Sequence, residues 1–382
     1  MMRLAIVSSR FPAGNSEPYL GAELENLRAH VREITVAAAR AELWSPKTLQ
    51  LALATIWRSP RRSVAALGEI LRARSRPIVT LKNLALYPRA LALAERFRRQ
   101  RIEHVHAYWL STPATVALVV ARVNGIPWSA TAHRRDIFEE NMIAEKARSA
   151  RFIRAISARG AAELRARAPE RATKIVVVRL GTALRATARA DSPERGGGLR
   201  LLCAAAFIPT KGHRDLIDAF ATAYAHDEGL HLALCGLGPL EPEIRRYVAE
   251  LGLSNAVEFR GYVPRHLLLQ EMQQGRYDAV VLASLDDGVR EMEGIPSILI
   301  EASSLGVACI ATHSGGVDEL LDDGSAFLVA PHRPDLLAQA ILDARVAVER
   351  RRRSERALLR ARALHDPNRS AAALSALIGV SA

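Results

Sequence analysis

The chain has 382 residues, with 53 Lys and Arg against 40 Asp and Glu for a formal net charge of +13; 49% of its residues are apolar and three are Cys. At about 100–200 residues per domain, this length predicts two domains or one large α/β domain. The apolar half excludes global disorder, and three scattered cysteines exclude a disulfide-dense scaffold. A membrane-crossing helix needs about 18 consecutive apolar residues, which the sequence lacks, and the apolar run 4–7 is too short for a signal-peptide core. The expected setting is cytoplasmic and reducing.

Residues 4–8 predict a buried strand, followed by the Pro/Gly/Asn loop 11–16. Leu20, Leu24 and Leu27 recur at helical spacing within 19–30, and 33–38 reads as a strand. Residues 49–71 and 81–101 predict two amphipathic helices, with Leu/Ala stripes and Arg on the opposite faces. Strands are predicted at 104–107, 128–132, 152–156 and 174–178, with helices between. This alternation predicts a parallel sheet covered on both faces. Residues 185–198, RATARADSPERGGG, carry no apolar period and read as a linker.

A second series follows. Its strands are predicted at 199–206, 230–236, 257–261, 279–284, 308–312 and 326–329. Its helices are predicted at 212–225, 241–251, 265–274, 296–306, 317–321, 334–351 and 352–364, with an apolar tail at 371–378. The expected architecture is α/β: two doubly wound Rossmann-like parallel-sheet domains facing across a cleft. The first spans 1–184, with the tail 366–382 packing back on it; 185–198 is the linker, and 199–365 is the second domain. Cys203, Cys235 and Cys309 fall inside predicted strands and read as small hydrophobes.

Between Arg58 and Arg101 twelve basic residues are opposed only by Glu69 and Glu95. Such a stretch meets anions. One reading is a pair of helices with Arg-rich solvated faces, and another is an anionic membrane surface. Nucleic acid ranks last, because apart from Trp57, Tyr87 and Phe97 few aromatics interleave for base stacking.

The densest polar cluster is 291–319, EMEGIPSILIEASSLGVACIATHSGGVDE. Pro296 suits the first turn of a helix and Gly306 its end. The free N–H groups near Ser297–Leu299 would form an anion site. Glu293 lies just outside that end and Glu301 further along; two carboxylates beside a phosphate site fit a nucleotide-linked sugar. Ser314, Gly315 and Gly316 form a second loop able to approach phosphates, before Glu319. The alternative is that these carboxylates are only favourable helix charges.

The string E-G-I-P, a second Glu eight positions after the first, and the Gly-Gly run that follows resemble the signature of family-4 retaining glycosyltransferases with the GT-B fold. FPAGNSEPYLGAELENL, HVHAYW at 104–109, AHRRDIF at 132–138, the P-x-K-G loop at 209–212, CGLGP at 235–239 and RGYV at 260–263 are similar to segments of its exopolysaccharide and colanic-acid-type members. The resemblance implies transfer of a sugar, with retention, from a nucleotide-sugar (UDP favoured, GDP as the alternative) to a hydroxyl of a lipid-linked glycan or small molecule. It implies no metal or other cofactor and no nucleic-acid partner. It also implies a cytoplasmic place, with peripheral contact at the inner face of an anionic membrane as a further expectation.

By the same resemblance Glu293 would receive donor-sugar hydroxyls and Glu301 the ribose. Lys211 would offset the diphosphate, with Gly294, Ile295, Pro296, Ser297 and Ile298 around it. Tyr262 and Val263 would frame the base, and Gly14 and Gly236 would let backbone approach. His133 would sit over the reacting sugar, against the alternative of a plain packed histidine. Glu17, His106, Arg134 and Asp136 are acceptor-side candidates, Asp136 alternatively holding its loop.

Two departures stand out. Ala205 and Ala206 occupy the positions of the family's Gly-Arg pair, so Lys211 acts alone or with a neighbour such as Arg290; and Pro18 stands where the family has Thr. The first keeps open a GT-B shell that binds nucleotide-sugar with little turnover. A soluble natural-product enzyme of aminoglycoside type is a further alternative.

Overall fold

The computed structural model describes residues 2–9, 18–73, 75–182, 198–285 and 294–379. The chain divides into two compact units, Met1–Gly181 with Pro367–Ala382, and Thr182–Asp366. Most of the linker 185–198 lies outside the described residues.

The first unit runs β1 (Arg3–Ser8), α1 (Pro18–Arg28), β2 (Glu33–Ala38), α2 (Pro46–Arg58), α3 (Pro60–Arg72), α4 (Pro77–Arg99), β3 (His104–Ala107), α5 (Thr112–Asn124), β4 (Trp128–Ala132), α6 (Arg134–Glu139), α7 (Ile143–Ser149), β5 (Ile153–Ala155), α8 (Ala158–Arg167) and β6 (Ile175–Val177). The six strands are all parallel, in the order β2-β1-β3-β4-β5-β6. The order reverses between β1 and β3, and in such sheets ligands gather where the strand order reverses, at the carboxyl ends.

Helix α5 starts with Pro113 in its first turn and stops at Gly125, whose φ of +70° suits a residue without Cβ. It is buried nearly all round, as its unbroken apolar run requires.

The helix expected over 49–71 is two helices, broken at Ser59–Pro60, because a proline is tolerated in a first turn but not in a helix interior. The faces of α2 are also reversed from those of an ordinary surface helix. It buries Thr48, Ala52 and Thr55 and exposes Leu49, Leu53, Ile56 and Trp57. The Thr55 hydroxyl donates to Leu91 O of α4 at 2.9 Å, so small residues carry the contact between the two helices. Part of the Arg charge is consumed locally. Buried Glu95 receives Arg58, Arg98 (2.9 Å) and Arg99 (2.8 Å).

The second unit runs β7 (Arg200–Ala204), α9 (His213–His226), β8 (His231–Cys235), α10 (Glu241–Glu250), β9 (Val257–Gly261), α11 (Arg265–Gln273), β10 (Ala279–Leu282), α12 (Ser297–Ser304), β11 (Ala308–Thr312), α13 (Val317–Leu320), β12 (Phe327–Val329), α14 (Pro334–Asp343) and α15 (Ala347–Leu364). Its strands are parallel in the order β12-β11-β10-β7-β8-β9, which is the Rossmann order, reversing between β7 and β10. The helix boundary expected at 351/352 falls instead at 344–346, and α15 continues across the Arg run. Cys203, Cys235 and Cys309 are free and buried in β7, β8 and β11.

Helix α16 (Pro367–Ile378) packs on the first unit with α1, burying Ala371, Leu374 and Ile378. Fully buried Arg154 of β5 ties these elements together. It pairs with Glu23 of α1 at 2.5 Å and donates to Val178 O, Arg179 O and Ser370 Oγ. Burial of a charge demands this many partners.

Candidate functional site

In the second unit the parallel strands deliver their carboxyl-end loops to one edge, and backbone contacts join those loops into a rim. The chain leaving β7 makes a tight turn at Pro209–Lys211, closed by Gly212 at φ +61°. A Cβ at Gly212 would stand 1.9 Å from Ala283 O, so only glycine fits. Leu285 N–H donates to Thr210 O at 2.9 Å, fixing this turn to the segment after β10. Gly236, at φ +153°, lets the end of β8 pass Ala205 O, which a Cβ would approach to 2.0 Å. Its N–H donates to Gly261 O at the end of β9. The glycine expected to admit a ligand is thus required first by the protein's own backbone. Thr312 Oγ1 donates to Ser284 O, and Gly316 N–H to Gly294 O, bringing in β11 and the start of α12.

Lys211 therefore sits where the strand order reverses. It is partly buried, and burial pushes its ammonium down to about 8, against the opposing effect of Cys203. It is still mostly protonated at neutral pH and so offers a cation with part of its hydration shell removed. The next residue but one, His213, is buried with its ring stacked on Phe207 at 4.3 Å. Burial, and then the charge of Lys211, push it down to about 4 and hold it neutral. Ala206 is exposed on the same loop, and Ala205 N–H donates to Cys235 O.

Helix α12 begins at Ser297 with Pro296 as its cap; Ser297 is exposed, and Gly294 and Ile295 lead into it half-buried. Leu299 N–H donates to Pro296 O at 3.1 Å. The anion site expected over Ser297–Leu299 is accordingly narrowed to the N–H groups of Ser297 and Ile298. Glu301 is buried on the same helix, and its Oε1 accepts from Arg265 Nε at 2.6 Å. Burial raises its carboxyl above the usual range, with Arg265 opposing. Arg265 is a partner that sequence reasoning missed; it opens α11 after the cap Pro264, which follows the exposed Tyr262 and the half-buried Val263. Ser314 is buried with its hydroxyl unpartnered among the described residues. Glu319 lies in α13. Glu293 and Arg290 lie outside the described residues.

In the first unit His133 caps α6 at the end of β4. Its ring lies 4.0 Å from that of Trp109 and 5.5 Å from that of Tyr108. Its Nδ1 is 3.7 Å from Asp136 Oδ2 and makes no hydrogen bond among the described residues. Asp136 is buried, and its Oδ2 accepts both His133 N–H and Leu110 N–H at 3.0 Å. That is a loop-holding arrangement. Lys146 completes it: with 0% exposure, its Nζ donates to Leu110 O at 2.7 Å and Ser111 O at 2.8 Å. Burial pushes this ammonium down to about 7, opposed by Asp136. Nothing in the stretch AEKARSA marks Lys146 as buried; it reads as a solvated helix position.

Two acceptor-side candidates are engaged elsewhere. His106 is 1% exposed, with Nδ1 paired to Ser129 Oγ at 2.8 Å and Nε2 to Thr131 Oγ1 at 2.9 Å. Strand burial holds it neutral, far below its usual range, and leaves no ring nitrogen for a solvent-borne group. Arg134 pairs with Glu163 of α8 at 3.0 Å and lies over the Phe138 ring. Gly14 and Glu17 lie outside the described residues.

Residues 185–357 match the sequence model of the family described as Glycosyl transferases group 1. WcaL of Salmonella typhimurium, assigned to colanic acid biosynthesis as a glycosyltransferase, is 28% identical over 171 residues, 44% of this chain and 42% of its own length. A GDP-mannose-dependent alpha-(1-6)-phosphatidylinositol monomannoside mannosyltransferase of Mycobacterium tuberculosis is 27% identical over 144 residues, 37% of each chain. The matched region thus spans less than half the length of these curated relatives. Among solved structures, Anabaena HepE in complex with UDP superimposes with a TM-score of 0.71 at 16% identity, over 98% of this chain and 99% of that one. This likeness shows the fold, the GT-B pair of Rossmann-like units.

Proposed function

We propose, from the match of residues 185–357 to the group 1 glycosyltransferase model, that the chain is a retaining glycosyltransferase. It would move a sugar from a nucleotide-sugar to a hydroxyl of a lipid-linked glycan or small-molecule acceptor. The observation that carries the reading is the strand-end rim of the second unit, where Lys211 sits at the β7/β10 reversal and loops from five strands are joined through backbone contacts. A diphosphate placed there would meet the Lys211 cation and the Ser297 and Ile298 N–H groups, with Glu301 receiving the ribose hydroxyls.

During transfer, negative charge grows on the departing nucleoside diphosphate. Fixed donors aimed at it stabilise the transition state more than the ground state. Retention would follow from attack on the face the diphosphate leaves, the phosphate taking the acceptor's proton. No metal or organic cofactor enters this scheme. By the resemblance, His133, whose backbone N–H is held by Asp136, and Glu293 are candidates for contact with the transferred sugar. UDP is favoured because the solved structural relative holds UDP; GDP is the alternative, since the mycobacterial relative uses GDP-mannose. Peripheral contact with an anionic membrane from the cytoplasmic side belongs to the same proposal.

One observation favours a second reading. Ala206 is exposed on the Lys211 loop where the resembled family has Arg, which suits a shell that binds donor with little turnover. Release of nucleoside diphosphate from a panel of UDP- and GDP-sugars decides between them. Turnover of one donor that falls by about 10²–10³ in Lys211→Ala supports the enzyme. Donor binding without release supports the shell.

A further inference from the structure

We infer that the outer face formed by α2, α3 and the first turns of α4 docks on an anionic lipid bilayer. This deepens the membrane element of the proposed function and rests on that reading only for its purpose. The starting observation is the reversed helix α2. Leu49, Leu53, Ile56 and Trp57 recur at i, i+4, i+7 and i+8 and so share one face, yet that face is turned to solvent, with Leu53 66% and Trp57 92% exposed. Val64 and Leu71 on α3, and Ile78 and Leu81 on α4, are exposed as well. Nine of the seventeen large exposed hydrophobics among the described residues fall between Trp44 and Leu81. The three helices that carry all of these but Trp44 pack against one another, and grouped exposed apolar residues mark a contact site where singly scattered ones do not.

Charge selects the occupant. Between residues 44 and 82 there are eight Lys and Arg and a single acidic residue, Glu69; Arg58 is paired with Glu95 and Lys82 with Glu139, which leaves an excess of positive charge. Lys47, Arg61, Arg72 and Lys82 are exposed on the same three helices. A second copy of the chain using this face would set like charges against each other across a two-fold axis. An anionic bilayer complements both features. Its surface attracts the basic rim, and its interfacial zone takes leucine and indole side chains to a shallow depth, the mode of helices that lie in the membrane plane. The indole, apolar in body with one N–H donor, suits that depth.

The test is cosedimentation of the full chain with vesicles of phosphatidylcholine alone and of phosphatidylcholine with phosphatidylglycerol at a 1:1 ratio. The expected result is at least about tenfold more binding to the anionic vesicles, a blue shift of tryptophan emission, and release as sodium chloride rises from about 0.1 to 0.5 M. The double variant Leu53→Gln/Trp57→Gln, on exposed positions, is expected to fold as the parent does and to lose about tenfold of the binding. Equal binding to neutral vesicles, no binding to either, or an unaffected double variant would overturn the inference. So would a lipid-free dimer that dissociates in the double variant, because a second copy would then be the occupant. Stabilisation by UDP is read on the same samples. It is expected to be equal in parent and variant, so loss of docking and loss of donor binding register separately.

Discussion

Lys211 and Lys146 are both lysines whose burial lowers their affinity for a proton, but their surroundings give them different work. Lys211 lies at the strand-order reversal, and its proton is still held below about pH 8. Nucleoside diphosphate binding should therefore weaken as pH rises through that value. Lys146 touches only protein, holding two carbonyls of the 108–111 loop. In the folded chain it loses its proton near pH 7, against a usual 10.5 when unfolded. Between those values the unfolded state binds more protons, so stability rises with pH there. Lys146→Met removes that rise and leaves two buried carbonyls unsatisfied, a loss of about 1–3 kcal/mol each. Denaturant melts at pH 7 and pH 9 should show a variant that is less stable and lacks the parent's gain at the higher pH. The P-x-K-G pattern made Lys211 legible in the sequence. Lys146 was not, because what buries it comes from 36 residues away in the chain.

Among the elements, the strands were largely legible in the sequence. Short apolar runs such as 104–107 and 308–312 have one stable place in a parallel sheet covered on both faces. The orientation of α2 was not legible. Periodicity shows that a helix has two faces, and which one is buried depends on the partner; here Thr48, Ala52 and Thr55 are buried, and Thr55 donates to Leu91 O of α4. Gly212 reads in the sequence both as the end of the P-x-K-G loop and as the head of the helix 212–225; it caps the helix, which begins at His213, and its steric requirement emerges only when Ala283 O is seen beside it. Gly212→Ala combines a left-handed φ with that overlap. It should cost more than about 2 kcal/mol in the second unit, read by chemical denaturation.

At the scale of the whole chain, α16 belongs to the first unit although it follows the second in sequence. The lock is Arg154, whose partners come from α1, the strand-end residues 178–179 and α16. Arg154→Leu would leave Glu23 as a buried uncompensated charge and should cost about 3–5 kcal/mol. The loss should appear as earlier hydrogen exchange across α1 and α16, with the second unit's amides unchanged. No pattern around Arg154 marks it: it stands inside the predicted strand 152–156, and partners such as Glu23 and Ser370 come from far away in the sequence.

The net charge of +13 also changes meaning at this scale. Some of it is spent on Glu95, and some rims an apolar face of the first unit. The proposed donor site would rely on Lys211 and the backbone N–H groups at the start of α12. Calorimetric titration of UDP into the parent chain and into Glu301→Ala tests this most directly. The account predicts saturable binding to the parent that is weakened about tenfold in the variant, the loss of one or two hydrogen bonds to a charged group. Absence of binding by both UDP and GDP at millimolar concentration would contradict it, as would equal affinity for parent and variant.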